Sequence, residues 1–216
     1  MRTALTISIF VALIIGFGIY GILFYKAKKM QKDLVRKSEQ ETYHTLLKIR
    51  ENIGEIPIQL KNALKSKTDD WDFEFNLNTI YLNNYQSILC ISNDDLYVFA
   101  GLQEMSKRPF FYYESEFDFD KWNDLVTQEN PKLVSIKPLS YGNQKLDLVL
   151  VYGTKMDNLE IYKNFFNQLN HNGMLVINQK FQKRSELNQF LKYLNNEKVN
   201  YEIVWHKNKF LYISKK

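Results

Sequence analysis

Residues 4–25 form a run of 22 positions without a charged side chain. A helix of that length rises about 33 Å, enough for a hydrocarbon core of about 30 Å. The run therefore predicts a transmembrane helix and confines the rest of the chain to one side of a bilayer. A cleaved signal peptide is the alternative, but it calls for a shorter apolar region and a small-x-small cleavage site. This run instead ends in Leu23-Phe24-Tyr25 and then Lys26. Lys26, Lys28, Lys29, Lys32, Arg36 and Lys37 follow it, against Arg2 alone before it. Under the positive-inside rule that asymmetry predicts a single-pass protein of the cell membrane with its C-terminal body in the cytoplasm. Tyr20 and Tyr25 are suited to the headgroup region. Ala4, Ser8, Ala12 and Gly16 recur every fourth residue. Small residues at that spacing let two helices approach closely, so a homodimer through the anchor is a further expectation.

Net charge is +5 with a pI near 9.0, which at first suggests a nucleic-acid binder. The charge is unevenly placed. Residues 1–50 hold nine Lys/Arg against three Asp/Glu, whereas residues 51–216 hold twenty against twenty-one. The body has no excess cation to neutralise phosphates, and no nucleic-acid partner is expected. The single cysteine, Cys90, can make neither an internal disulfide nor a cysteine zinc site, and it reads as a buried core residue.

After the basic stretch, Ser38 and Glu41 have the spacing of a helix capping box, and Tyr43, Leu46, Leu47, Ile49 and Ile53 recur at helical intervals up to Gly54. A short helix is expected from Pro57 and a polar loop over residues 65–72. The expected organisation is an anchor over 1–25, a basic and helical connector over 26–74, and an α/β domain over 75–216. In that domain apolar runs of strand length alternate with amphipathic stretches, the pattern of a parallel sheet with helices on its faces. Strands are expected at Ser87 to Ile91, Phe110 to Tyr113, Leu133 to Ile136, Leu146 to Val151, Met174 to Ile177, Tyr201 to Trp205 and Phe210 to Ile213. Helices lie between them, with Asp118 capping one and Ser185 starting another. The last two strands are joined by a turn of a few residues at His206 to Asn208, so they must be antiparallel.

Five strands alternating with helices, a last helix and a closing hairpin make a Rossmann-like, mostly parallel seven-stranded sheet. This layout resembles the class I S-adenosylmethionine-dependent methyltransferases. The segment from Leu146 to Asn178, LDLVLVYGTKMDNLEIYKNFFNQLNHNGMLVIN, resembles the central segment of the small-molecule O-methyltransferases. There an apolar strand opening with Asp precedes a turn with Lys, a Tyr-bearing helix and a Gly-containing passage into the next strand. With its N-terminal anchor the chain also resembles a family of membrane-anchored methyltransferases described from mollicutes.

The resemblance implies S-adenosylmethionine as cofactor, a methyl acceptor left unidentified, and a site across the carboxyl ends of the strands. In such folds a Gly-rich turn after the first strand admits the cofactor to the backbone, and an acid after the second strand accepts from the ribose hydroxyls. Glu114 matches that acid, 23 residues beyond Ile91 and close to the roughly twenty-residue spacing of dinucleotide folds. It reads equally well as a solvated acid among Glu116, Asp118 and Asp120. The turn departs from the family. It maps onto Ile91-Ser92-Asn93-Asp94-Asp95, which has no glycine, although Asn93 and Asp94 tolerate positive φ best among the alternatives. The candidate cofactor-binding residues are thus Ser92, Asn93, Asp94, Glu114 and Tyr152.

Tyr152 and Asn178 stand where the metal-dependent branch of the family carries acidic ligands, so no catalytic metal is expected. Lys155 could orient an acceptor, and no catalytic residue is assigned. Hydrolase, P-loop and zincin motifs are absent from the sequence. A catalytically degenerate fold, kept as a membrane-tethered binding or scaffold module, is the alternative that explains the missing glycines.

Overall fold

The computed structural model describes residues 2–93, 95–128, 133–205 and 207–216, with the side chains of residues 2–19 outside the description. The chain divides into two compact units, Met1–Glu51 and Asn52–Lys216.

The first unit is one helix, α1 (Arg2–Ile49). Residues 2–49 were expected to contain a span and then a new helix capped at Ser38, but α1 passes through Ser38 without a break. Nothing between Gly21 and Gly54 is glycine or proline, and the Lys, Glu, Gln and Leu of this stretch are good helix formers, so a capping box alone does not stop it. Among the described residues no helix is long and apolar enough to cross a membrane. Up to residue 19 the expected span, including the Ala4, Ser8, Ala12 and Gly16 face, falls on side chains outside the description.

The second unit opens with α2 (Ile58–Ala63) and α3 (Asp70–Leu82). The second of these was not expected. Trp71, Phe73, Phe75 and Leu77 alternate with polar residues, a period-two pattern that hides a helix. Asp69 caps it by accepting from the Trp71 N–H. Phe73, Leu77 and Ile80 then fall on one face and are fully buried.

The sheet comprises β1 (Ile88–Ser92), β2 (Phe110–Tyr112), β3 (Leu139–Ser140), β4 (Leu146–Gly153), β5 (Leu169–Asn178), β6 (Asn200–Trp205) and β7 (Lys209–Ser214). Its order is β3-β2-β1-β4-β5-β7-β6. All neighbours from β3 to β5 pair in parallel, and β7 is antiparallel to both β5 and β6. The connecting helices are α4 (Leu96–Ser106), α5 (Phe119–Gln128), α6 (Asn158–Phe165) and α7 (Arg184–Asn196). Every residue of β1 is buried, as a parallel strand covered on both faces requires. Ile88 and Cys90 pack with Phe73, Tyr97 and Phe99 on one side, and Leu89 and Ile91 with Ile161, Phe165 and Leu187 on the other. Burial pushes the Cys90 thiol up to about 12, so it stays protonated inside the core.

The third strand lies six residues later than expected. Over 133–136 the backbone is engaged by α4 instead: Glu104 accepts from the N–H groups of Ser135 (2.6 Å) and Ile136 (2.8 Å) and from the Ser135 hydroxyl, while Gln103 donates to the Ile136 carbonyl. Those groups are spent before a ladder can form, and Pro138 offers no donor, so pairing begins at Leu139. Pro131, placed before that strand in the sequence, and His206, in the closing turn, lie outside the described residues.

At the amino end of β4, Asp147 ties three segments together. It accepts from the N–H groups of Gln86 and Ser87 (2.9 Å each) and from the Asn170 amide (2.7 Å). Burial acts to raise its pKa, but the Ser87 N–H, the Asn170 amide and the Gln86 N–H together hold it below the ordinary carboxylate range. Gly173 passes close by. A Cβ there would sit 2.9 Å from the Asn170 carbonyl and 3.1 Å from that of Asp147, so this position has no room for a side chain.

Candidate active site

Strand order reverses between β1 and β4, and in open α/β sheets ligands bind beyond the carboxyl ends of the strands at that reversal. A cavity of about 330 Å³ opens there, walled by Asp95 after β1, Tyr152 and Gly153 at the end of β4, Asn178 and Lys180 at the end of β5, and residues 64–68 ahead of α3.

The turn after β1 is pinned to the end of β4. Ser92 is nearly buried, and the Asn93 N–H donates to the Gly153 carbonyl at 3.1 Å. Asp95 caps α4 through the Tyr97 N–H and also accepts from the hydroxyls of Ser66 (2.5 Å) and Thr68 (2.7 Å). That carboxylate draws the 65–68 loop over the end of β1.

A second set of contacts joins three strand ends. The Asn93 amide donates to Glu116 at 2.8 Å, and the Thr154 hydroxyl donates to the other oxygen of Glu116 at 3.1 Å. Glu116 and the expected acid, Glu114, share a short 3₁₀ turn after β2. Glu114 is exposed, and its carboxylate has no partner among the described residues. A cluster of rings holds this turn in place: Phe117 lies 5.1 Å from Phe99, 5.8 Å from Trp122 and 4.6 Å from Tyr112.

Tyr152 forms the cavity floor. It is 6% exposed, its ring packs against Phe210 at 5.6 Å, and its hydroxyl donates to the Asp72 carbonyl (3.0 Å) and accepts from the Asn76 amide (2.6 Å). Burial first, then the nearby Tyr212 and Asp72, push its pKa well above the ordinary phenol value. It cannot act as a base near neutral pH. The Asp72 carboxylate, 1% exposed, holds the β6–β7 turn by accepting from the N–H groups of Lys207 (3.1 Å) and Asn208 (3.2 Å) and from the Asn208 amide (2.5 Å).

Of the residues singled out from the sequence, Tyr152 lines the cavity, while Ser92 and Asn93 form the turn at its edge. Glu114 stands outside the lining, and Asp94 falls outside the described residues. Asp72 and Lys180 carried no signal beyond being polar residues near strand or helix ends, while Asp95 and Glu116 stood out only as members of the turn after the first strand and of the acidic stretch around Glu114. They meet only through the fold.

No family model matches the chain, and no curated protein matches it in sequence. Solved structures do match its architecture. A structure described as a caffeoyl-CoA O-methyltransferase from Staphylococcus aureus aligns with 83% of this chain and 99% of its own, at 12% identity and a TM-score of 0.55. The fold is that of the class I methyltransferases. The S-adenosylhomocysteine-bound methyltransferase PaMTH1 of Podospora anserina covers 83% of this chain and 96% of its own (11% identity, TM-score 0.54). The O-methyltransferase TomG of Streptomyces achromogenes, in complex with S-adenosylmethionine, covers 82% and 96% (13% identity, TM-score 0.53).

A class I methyltransferase fold implies S-adenosylmethionine, and the cavity lies where that fold would take it, beyond the carboxyl ends of β1 and β4. The cavity beside Asp95 and Gly153 leaves space at the switch point, and Glu114, exposed after β2, stands outside its lining. Between them runs the Asn93, Glu116 and Thr154 bridge, which a nucleoside reaching Glu114 would have to part. Hydrogen bonds to a charged acceptor contribute about 1.5–3 kcal/mol each, whereas a micromolar ligand binds with about 8 kcal/mol. A cofactor that parted the bridge would therefore bind at a cost in affinity that leaves binding possible.

Proposed function

We propose that this chain is a membrane-anchored, S-adenosylmethionine-dependent methyltransferase with an unidentified acceptor. The observation that carries the reading is the β3-β2-β1-β4-β5-β7-β6 sheet opening on a cavity at its switch point. When bound, S-adenosylmethionine supplies an electrophilic methyl group on a sulfonium. Glu114 would hold the ribose, and Ser92 and Gly153 would bring buried backbone to the middle of the cofactor. The Tyr152 ring closes the floor against water. Methyl transfer asks mainly for alignment of acceptor and methyl carbon, which a rigid floor and wall can provide without a catalytic triad.

The bridge and the glycine-free turn favour a second reading, a tethered binding module that has lost its cofactor. Calorimetric titration of S-adenosylmethionine into the full chain in neutral detergent micelles separates the two. Binding on the order of 0.1 mM is expected, weakened about tenfold in Glu114→Ala, or about 1.4 kcal/mol. Asn93→Gly removes one bond of the bridge and should tighten binding by a similar factor. Silence from both the wild type and Asn93→Gly at millimolar ligand would leave the binding module as the reading.

The anchor belongs to the same proposal and is supported by the charge-free run over residues 4–25 and by Lys26, Lys28 and Lys29, all exposed on α1. With it goes the likeness to the mollicute membrane-anchored family and a body facing the cytoplasm. Full-length protein should stay with membranes through an alkaline carbonate wash, and a chain lacking residues 2–25 should not. Release of the full-length chain by that wash would overturn the anchor.

A further inference from the structure

The charges around the cavity are unequal in what they offer a ligand. Its two carboxylates are committed to the protein: Asp72 to the β6–β7 turn, Asp95 to Tyr97, Ser66 and Thr68. Lys65, Lys67 and Lys180 line the same cavity, and all three are exposed. None of them has a carboxylate partner among the described residues, and Lys180 meets only the face of the Phe181 ring, at 5.5 Å. Asn178 adds a neutral donor. Its oxygen accepts from the Lys180 N–H at 2.9 Å, while its NH₂ group has no acceptor among the described residues. Lys121 and Lys183, by contrast, pair with Asp118 and Glu186.

Three cations and an amide donor line one concavity with two carboxylates that accept only from neutral donors, which leaves the cations in excess there by one charge and the lysines as the groups without a partner. We propose that the acceptor taken into this cavity carries an anionic group, a phosphate or a carboxylate, held by Lys67, Lys180 and Lys65 with the Asn178 amide. This rests on the methyltransferase reading for the word acceptor, but the anion site itself does not. Lys180 and Asn178 follow β5, two strands from the β1 turn, which places the anion on the side of the cavity away from Glu114. The anion could belong to a soluble metabolite or to a lipid headgroup at the membrane surface.

The test uses the full chain in neutral detergent micelles, titrated with inorganic phosphate and, separately, with a short-chain phosphatidylglycerol. Phosphate binding that falls at least tenfold in Lys67→Gln/Lys180→Gln, stays unchanged in the remote Lys192→Gln, and weakens with added salt is the expected result. Tighter binding of the phosphatidylglycerol than of phosphate assigns the anion to a lipid headgroup, and equal binding assigns it to a soluble ligand. S-adenosylmethionine titrated into the double variant should bind as it does to wild type. A matching loss there would mean the lysines hold the cofactor's own carboxylate, which overturns the proposal. So would phosphate binding that the double variant leaves intact, or none up to tens of millimolar. Lysine-dependent phosphate binding in a chain that never binds S-adenosylmethionine would keep the anion site and remove the methyltransferase reading.

Discussion

Asp72→Ala is expected to destabilise the α/β unit by about 3 kcal/mol, because a buried donor left without an acceptor costs about 1–3 kcal/mol and this carboxylate serves three. The Lys207 and Asn208 N–H groups and the Asn208 amide all lose their acceptor. Water can reach part of the β6–β7 turn, which keeps the total below three full penalties. For a unit of this size the loss corresponds to a fall in Tm of roughly 6–12 °C. Asp72→Asn keeps one acceptor oxygen for the turn but sets an NH₂ group against the Asn208 amide, so it should recover about half of the loss. Thermal unfolding followed by circular dichroism measures both. A fall of less than about 2 °C for Asp72→Ala would show that the turn does not depend on this carboxylate. The same residue walls the cavity, so the alanine variant should also bind ligands more weakly than its folded fraction accounts for.

Phe99→Ala should cost about 3–5 kcal/mol, the range for removing a fully buried aromatic ring. Phe99 is 0% exposed and meets Phe110 at 5.9 Å, Phe117 at 5.1 Å and Trp122 at 6.0 Å, all edge to face. These partners come from β2, from the turn that follows it and from α5, so the cavity would open beneath the segment carrying Glu114 and Glu116. Urea unfolding reads the stability term. Phe99→Leu, which fills most of the volume, should cost less than half as much. If Phe99→Ala lost under about 1 kcal/mol, the surrounding rings would have collapsed into the gap, contrary to the packing described. Where the alanine variant remains folded, S-adenosylmethionine affinity should fall with it, through the loosened Glu114 turn rather than through any contact of its own.

Both effects fall on parts of the molecule that the sequence revealed unequally. The Phe99 cluster lies where apolar runs announce it: Phe110 opens a strand, and Phe99 and Trp122 mark the buried faces of helices. The Asp72 network lies at the end of a stretch expected to be a polar loop, because residues 65–72 are mostly polar and the helical face formed by Phe73, Leu77 and Ile80 begins only beyond it. The third strand was displaced for a related reason. Residues 133–136 have strand composition, but Glu104 and Gln103, about thirty residues earlier in the chain, take the hydrogen bonds a strand would have used.

Continuous apolar runs such as Leu148 to Val151, separated by helices too long to allow hairpins, leave a parallel sheet as the arrangement that buries them on both faces. The few residues between β6 and β7 then require an antiparallel close. Those features are local in origin and could be read from the chain. The cavity is not local. Asp95 meets Ser66 and Thr68, Asn93 and Thr154 both meet Glu116, and Lys67 and Lys180 line one cavity although more than a hundred residues separate them. Hydrogen bonds and charge proximity act over a few ångströms of space whatever the separation along the chain, so only the folded sheet decided which polar residues form the site.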